Sequence, residues 1–338
     1  MSSTRDDAGA DGPAIRARLG GEHRDIDVTP LGAVPDAQDL AGLQEAAAAG
    51  RYGRATREEY GTPSRSGLMV FALVGGFLGL VFLVVVLVAL VRGETEDALI
   101  GLWFVGGVLL VGLACGWLAR RSDRRHRADV WRLVRFAEAN GLEVQPAAKV
   151  VLRPGSIFTT KAHASTGEQV RWTVDGRSVE VAHHSRGSGG KTPNRFSARY
   201  LAVQVGDVPA FTFTGPRSGP ARPRQIAGPE VVVHGTGGGR RRGTLVSRVR
   251  TGDAARDFLT DDLVDLLTDP QHPCNAETAG GWFFAYFPSR PVPDATRWRH
   301  LFALADAVVR AADRSAGGAS RGRTEPTARA GEVDHDRG

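Results

Sequence analysis

The stretch "SRGSGGKT", Ser185 to Thr192, ends in the glycine, lysine and threonine that close a phosphate-binding loop. A P-loop reads G-x-x-x-x-G-K-[ST]: its first glycine lets the turn close, backbone N–H groups wrap the phosphates and the lysine reaches the outer ones. Gly190, Lys191 and Thr192 are in place, but Ser185 stands where the first glycine belongs. The flanks weigh more. "RSVEVAHHS" alternates as a half-exposed strand does, "TPNRFSARYLAVQV" continues as loop and strand, and Pro193 and Asn194 are turn residues rather than a helix opening. "LAVQVGD" is a poor match to a strand ending in a magnesium-binding aspartate. The expected reading is a loop between antiparallel strands.

Other residues that could do chemistry fare no better. In "HGTGGGRRRG", aligning Gly235 and Gly237 with a dinucleotide fingerprint puts Arg240 where the third glycine belongs, and no βαβ unit surrounds it. Arg240, Arg241 and Arg242 could grip phosphates or anionic headgroups, though a basic loop accounts for them. His183 and His184 are adjacent, so on a strand they point to opposite faces and cannot share one metal in the usual way. His163, His234 and His272 are scattered, and a single cysteine outside the apolar runs cannot support a thiolate-rich site. No G-x-S-x-G elbow or H-E-x-x-H helix is present. The sequence therefore nominates no catalytic, cofactor-binding or metal-ligating residues.

The elements that would position such residues are clearer. "ADVWRLVRFAEANGL" places Val130, Leu133, Val134 and Ala137 at helical spacing before an Asn140-Gly141 stop. "QVRWTVDGRSVEVA" predicts a hairpin, with Val170, Trp172 and Val174 alternating up to Asp175-Gly176 and Val179 and Val181 beyond it. "YLAVQV", "AFTFT", "EVVVH", "TLVSRV" and "GWFFAYF" are further strand candidates. A helix over Asp253 to Asp269 would put Leu259, Leu263, Leu266 and Leu267 on one face and Asp253, Asp257, Asp261, Asp265 and Asp269 on the other, a solvated stripe or a docking surface for a basic partner. A last helix, Asp294 to about Asp313, gathers Trp298, Leu301, Phe302, Ala305 and Val309. Strands bracketed by helices predict an α+β domain on a mainly antiparallel sheet, over residues 120–314.

Two apolar runs precede it. Gly67 to Val91 holds 25 residues and Ala98 to Ala119 another 22, none of them charged, with six residues, "RGETED", between them. About 20 apolar residues span the hydrocarbon of a bilayer, so the expectation is a two-helix transmembrane hairpin, 67–91 and 98–119. A buried helical hairpin in a water-soluble core is the lesser alternative. Gly75 and Gly79, and Gly112 and Gly116, form GxxxG pairs that could pack the hairpin or a homo-oligomer. Arg51, Arg54, Arg57 and Arg65 before the first run, and the collar from Arg120 to Arg127 after the second, outnumber the lone Arg92 between them. The positive-inside rule then places both termini in the cytoplasm, with the collar on anionic lipid. Cys115 and Cys274 cannot easily meet, which excludes a disulfide framework and fits a reducing compartment. Residues 1–66, with a short helix through "DLAGLQEAAAA", and 315–338 read as disordered tails, being poor in aromatic and β-branched residues. The net charge of +6 is spread over tails and collar without a nucleic-acid signature, so no nucleic-acid partner is expected.

The hairpin, the collar, "WRLVRFAEANGLEVQP", "PGSIF" and "GGWFFAYF" together resemble uncharacterised actinobacterial integral membrane proteins, over roughly Leu68 to Val309. The resemblance implies architecture alone: a helical hairpin followed by a cytoplasmic α+β domain, with no activity or site residues to carry over. The expectation is a non-enzymatic, membrane-anchored binding or scaffold domain at the cytoplasmic face of the cell membrane. The alternative is a membrane-anchored enzyme or nucleotide sensor.

Overall fold

In the computed structural model, which describes residues 15–61, 79, 84, 88, 91, 95–149, 153–158, 164–186, 196–216, 228–236, 242–247, 252–288 and 294–321, the chain divides into two units. One comprises Met1–Asp27 and Val150–Gly338, the other Val28–Lys149. The first begins with a ribbon of β1 (Ile15–Leu19) and β2 (Glu22–Ile26), paired antiparallel, from which Arg18 reaches Asp175 at 2.7 Å.

The second unit holds α1 (Thr29–Gly32), α2 (Ala37–Ala48), α3 (Arg54–Tyr60), α4 (Thr95–Ala139) and β3 (Glu143–Lys149). The helix read through "DLAGLQEAAAA" is α2, opened by a capping box: Asp36 accepts from the Asp39 N–H and Asp39 from that of Asp36. Residues 15–61 are thus built into both units. Their few apolar side chains suffice because Leu43, Ala47 and Tyr60 are buried with Val130, Val134 and Ala147 in one small core. The predicted helix at 128–140 is the last part of α4, and its Val130, Leu133, Val134, Phe136 and Ala137 are buried. It ends at Asn140-Gly141, where the Leu142 N–H reaches back to the Ala137 carbonyl at 2.8 Å.

The transmembrane hairpin is not supported. Most of the first run, 67–91, lies outside the described residues. The second, 98–119, is not set apart as a span but is continuous with Arg120, Arg121, Asp123, Arg124, Arg125 and Arg127 in one 45-residue helix. Among the described residues, no helix is long and apolar enough to cross a membrane. With the hairpin go the membrane anchor, the two-span placement in the cell membrane and the function built on them. Among the described residues, no atom outside the helix's own backbone lies within 4 Å of a Cβ built at Gly79, Gly112 or Gly116, and Gly75 lies outside the described residues.

The rest of the first unit is an α+β arrangement on a large antiparallel sheet, as alternation predicts. Its strands are β4 (Ala164–Val174), β5 (Arg177–Arg186), β6 (Phe196–Gln204), β7 (Phe211–Thr214), β8 (Glu230–His234), β9 (Arg242–Ser247), β10 (Asn275–Ala279) and β11 (Trp282–Pro288). They lie side by side in the order β4-β5-β6-β11-β10-β7-β9-β8. The β4–β5 turn is the Asp175-Gly176 pair, with φ of 48° and 75°, as a type I′ turn requires. The helices are α5 (Gly252–Phe258), α6 (Asp261–Leu267) and α7 (Ala295–Arg321).

The single helix expected over 253–269 is two, because Thr260 is extended (φ −62°, ψ 158°) and starts α6 afresh. The acidic stripe is broken with it. Asp265 accepts from the Thr236 hydroxyl, and Asp269 falls beyond the end of α6. Asp294 caps α7 by accepting from the Arg297 N–H at 2.9 Å. Trp298, Leu301, Phe302, Ala305 and Val309 are buried as their spacing predicts, each large one contributing about 1.5–3 kcal/mol.

Candidate metal centre

The two glycine stretches that resemble phosphate loops join neighbouring antiparallel strands. Arg186 of β5 faces Phe196 of β6 in register, and His234 of β8 faces Arg242 of β9, so the next described element after each stretch is an antiparallel strand. Residues 187–195 and 237–241, with Lys191, Arg240 and Arg241, lie outside the described residues, as does His163. His183 and His184 point to opposite faces as expected: His183 Nε2 is 2.6 Å from Ser197 Oγ, while the His184 ring packs edge-on against Phe158 at 4.9 Å.

What the fold does bring together is Asp269, His272 and His300. The sequence "TDPQHPC" after α6 makes a tight turn. Thr268 bonds back to the Val264 carbonyl at 2.7 Å, Pro270 fixes the next backbone angle, and Asp269 Oδ1 accepts from the Gln271 N–H at 2.9 Å. The His272 N–H then returns to the Asp269 carbonyl at 3.1 Å, which folds the imidazole over the carboxylate of its own turn. Gly215, just after β7, supports this turn from behind. A Cβ there would stand well inside van der Waals contact of the Cys274 carbonyl oxygen, a backbone atom with no room to yield. Gly215→Ala is expected to lower stability by about 1–3 kcal/mol in urea unfolding, since overpacking forces the backbone apart.

His300 arrives from α7, on the side of the helix that faces the sheet. Its Nδ1 is 3.6 Å from Asp269 Oδ2, and that same oxygen is 3.1 Å from His272 Nδ1. The two rings stack with centroids 4.5 Å apart and planes 16° from parallel. The three ligand atoms lie within 4.8 Å of one another. Metal bonds of about 2.0–2.2 Å place neighbouring donors about 3.0–3.5 Å apart, so side-chain movements of about 1 Å would bring all three onto one ion.

Burial sets the protonation of this group. His272 and His300 are only 7% and 6% exposed. Desolvation first, then the neighbouring charges of His272 and Arg297, push His300 down to about 4 against the pull of Asp269, so its imidazole is neutral at pH 7. Burial works to raise the Asp269 carboxyl, but the hydrogen bonds from His272 and the Gln271 N–H, with the charges of both histidines, hold it below its ordinary value. The result is a carboxylate on Asp269 beside a neutral imidazole on His300.

Without an ion, His300 is poorly served. At 3.6 Å its Nδ1 is too far from Asp269 for a hydrogen bond, and its Nε2 is buried with no partner among the described residues. A proton on Nε2 leaves the Nδ1 lone pair facing a carboxylate; a proton on Nδ1 leaves a bare lone pair buried at Nε2. In the first tautomer, a cation between the three atoms would turn the repulsion between the Nδ1 lone pair and the carboxylate into two metal bonds.

Sequence reasoning passed over all three residues. In the sequence, His272 is one of several scattered histidines, Asp269 falls in the acidic stripe, and His300 belongs to no motif. The one available signal was a histidine beside Trp298 and Leu301 on a helix with a wide apolar face, where a polar residue is the informative exception.

A second polar cluster lies across the sheet. Glu180 is fully buried, yet accepts from Arg153 at 2.7 Å, Arg171 at 3.1 Å and the Tyr200 hydroxyl. Glu277 accepts from the Tyr286 hydroxyl and the Ser156 N–H. Arg153 also covers the Trp282 ring at 4.3 Å, and Phe158 packs on Tyr200 at 5.0 Å. These bonds strap "RPGSIF" onto the sheet: both carboxylates are already committed to protein donors. No family model matches the chain, and neither a curated protein nor a solved structure does.

Proposed function

We propose that this protein binds a divalent transition-metal ion through Asp269, His272 and His300. The observation that carries the reading is the approach of both Nδ1 atoms to one carboxylate oxygen, at 3.1 and 3.6 Å, in surroundings that keep His300 neutral. Two nitrogens and an oxygen suit zinc, ferrous iron, cobalt or nickel, whereas calcium and magnesium take oxygen ligands. Three protein ligands leave at least one coordination position for a further group, the arrangement of reactive rather than purely structural sites.

The test is calorimetric titration of the untagged, metal-free full chain with zinc chloride and, in parallel, cobalt(II) absorption. One ion per chain is expected. His300→Ala and Asp269→Asn should each weaken binding by about 100-fold or more, since even outer partners of metal ligands are worth about 10–100-fold. Zinc affinity no better than millimolar, or variants that bind as well as the parent while keeping its circular dichroism, would overturn the reading.

A further inference from the structure

Six of the large apolar side chains left exposed lie on one helix, α4: Trp103, Leu110, Val111, Leu113, Trp117 and Leu118. Trp103, Leu110 and Trp117 recur every seven residues and are 82%, 69% and 58% exposed, with Leu113 at 76% between the last two. Gly106 is exposed as well, and nothing lies within 4 Å of a Cβ built there. Seven-residue spacing keeps positions on one side of a helix, so Trp103, Gly106, Leu110, Leu113 and Trp117 form a stripe about 21 Å long. An apolar stripe of this extent left to water marks a surface that something else covers.

The charges at its two ends indicate what. Helix α4 opens on Thr95, Glu96 and Asp97, and after the stripe it carries Arg120, Arg121, Arg124 and Arg125. A parallel pair of such helices would set one run of arginines against another. An antiparallel pair sets the acidic opening of each helix level with the arginines of its partner, the kind of complementarity that fixes orientation between paired helices.

The same arrangement interlocks the stripe. With Leu110 of one copy level with the partner's Leu113, Trp117 comes level with the partner's Gly106, where a large ring has room, and Trp103 with the partner's Arg120. Arg121 already covers the Trp117 ring at 5.1 Å, so guanidinium on indole closes the stripe at both ends. Large side chains matched to a gap, and acid matched to base, are complementary to the same helix in reverse. A fluid lipid surface selects for neither.

We propose that α4 is a self-association surface, along which two copies of this chain pair antiparallel through the stripe from Trp103 to Trp117.

Sedimentation equilibrium of the untagged full chain in detergent-free buffer, with cysteine cross-linking for orientation, tests it. A dimer is expected. Leu110→Glu should raise its dissociation constant about 100-fold or more, since each dimer would then bury two carboxylates without partners. Leu110 is exposed in its own chain, so circular dichroism should not change. For orientation, Cys115→Ser removes the exposed native thiol of α4. On that background, Gly106→Cys chains and Trp117→Cys chains should give no interchain disulfide when oxidised separately. Mixed, they should be joined, because only the antiparallel register brings the two positions within bridging distance. A disulfide in either variant alone, a monomer up to about 0.1 mM, or a Leu110→Glu protein that associates as tightly as the parent would overturn the proposal. So would a chain that floats with phosphatidylglycerol vesicles and yields no cross-link in the mixture, since lipid would then be what covers the stripe.

Discussion

Glu180→Ala lowers the unfolding free energy by about 3–5 kcal/mol, the range expected when one partner of a buried ion pair is removed. The carboxylate is the hub of the strap across the sheet: two guanidiniums and a phenol converge on it, and none of its surface meets solvent. Burial alone would raise its pKa, but the Tyr200 hydroxyl, Arg153 and Gln169 outweigh burial and hold it below 4.5. The carboxylate is therefore ionised, and its contribution is present above the unfolded value and fades as pH falls through the lower folded one. Arg153 and Arg171 keep side-chain exposures of 20% and 32%, so once Glu180 is gone both can turn toward water, which places the loss nearer 3 than 5 kcal/mol. Glu180→Gln retains shape and an acceptor for Tyr200 and should cost less. Urea unfolding at pH 7 provides the measurement. A loss under about 1 kcal/mol for the alanine variant would show that the arginines hold the strap without their carboxylate.

The second large effect is on acid stability. His184 sits in β5 between Thr166 and Ala198 in register, with Phe158 against its ring. Burial first, then the charges of His183 and Arg186, press it from 6.5 down to about 4, against a hydrogen bond to the Ile157 backbone. Between those values the unfolded chain takes up a proton that the folded chain refuses. Stability therefore rises with pH across this window and is lost as pH falls from 6.5 toward 4. At about 1.4 kcal/mol per tenfold in proton affinity, the loss is about 3 kcal/mol at most. His300 titrates over the same range, so the decisive quantity is the difference from His184→Leu, measured in metal-free protein by urea unfolding from pH 7 to pH 4. The variant should lose distinctly less stability over that interval. Equal slopes would mean that His184 takes its proton without unfolding, by turning out from under Phe158.

Some of the molecule is written locally. The β4–β5 hairpin follows from alternation and a dipeptide that accepts positive φ, and the strands read at "YLAVQV", "AFTFT", "EVVVH", "TLVSRV" and "GWFFAYF" are all present. The faces of α7 and of the end of α4 follow from apolar spacing. Strand β10 was not legible, because "NAETA" has no apolar alternation: Asn275, Glu277 and Thr278 are buried by virtue of lying between β7 and β11, and their side chains bond to neighbours there. The break at Thr260 escaped a reading that saw one helical period on both sides of it.

The apolar runs show the limit of pattern reading most plainly. Length and absence of charge proposed a span for 98–119, whereas the helix that contains it runs on through the arginine collar as one element. The candidate site was invisible for a different reason. Asp269 and His272 share one turn, but His300 comes from the following helix, beyond two strands, and no spacing rule links them. The sequence by itself determined the strand and helix periodicities, the β4–β5 turn, and the α+β class with its antiparallel sheet, because each depends on neighbours a few residues apart. Only the tertiary structure decided that α7 lays His300 beside the Asp269 turn, since ligand convergence depends on how separate elements pack and which side chains that packing shuts away from water.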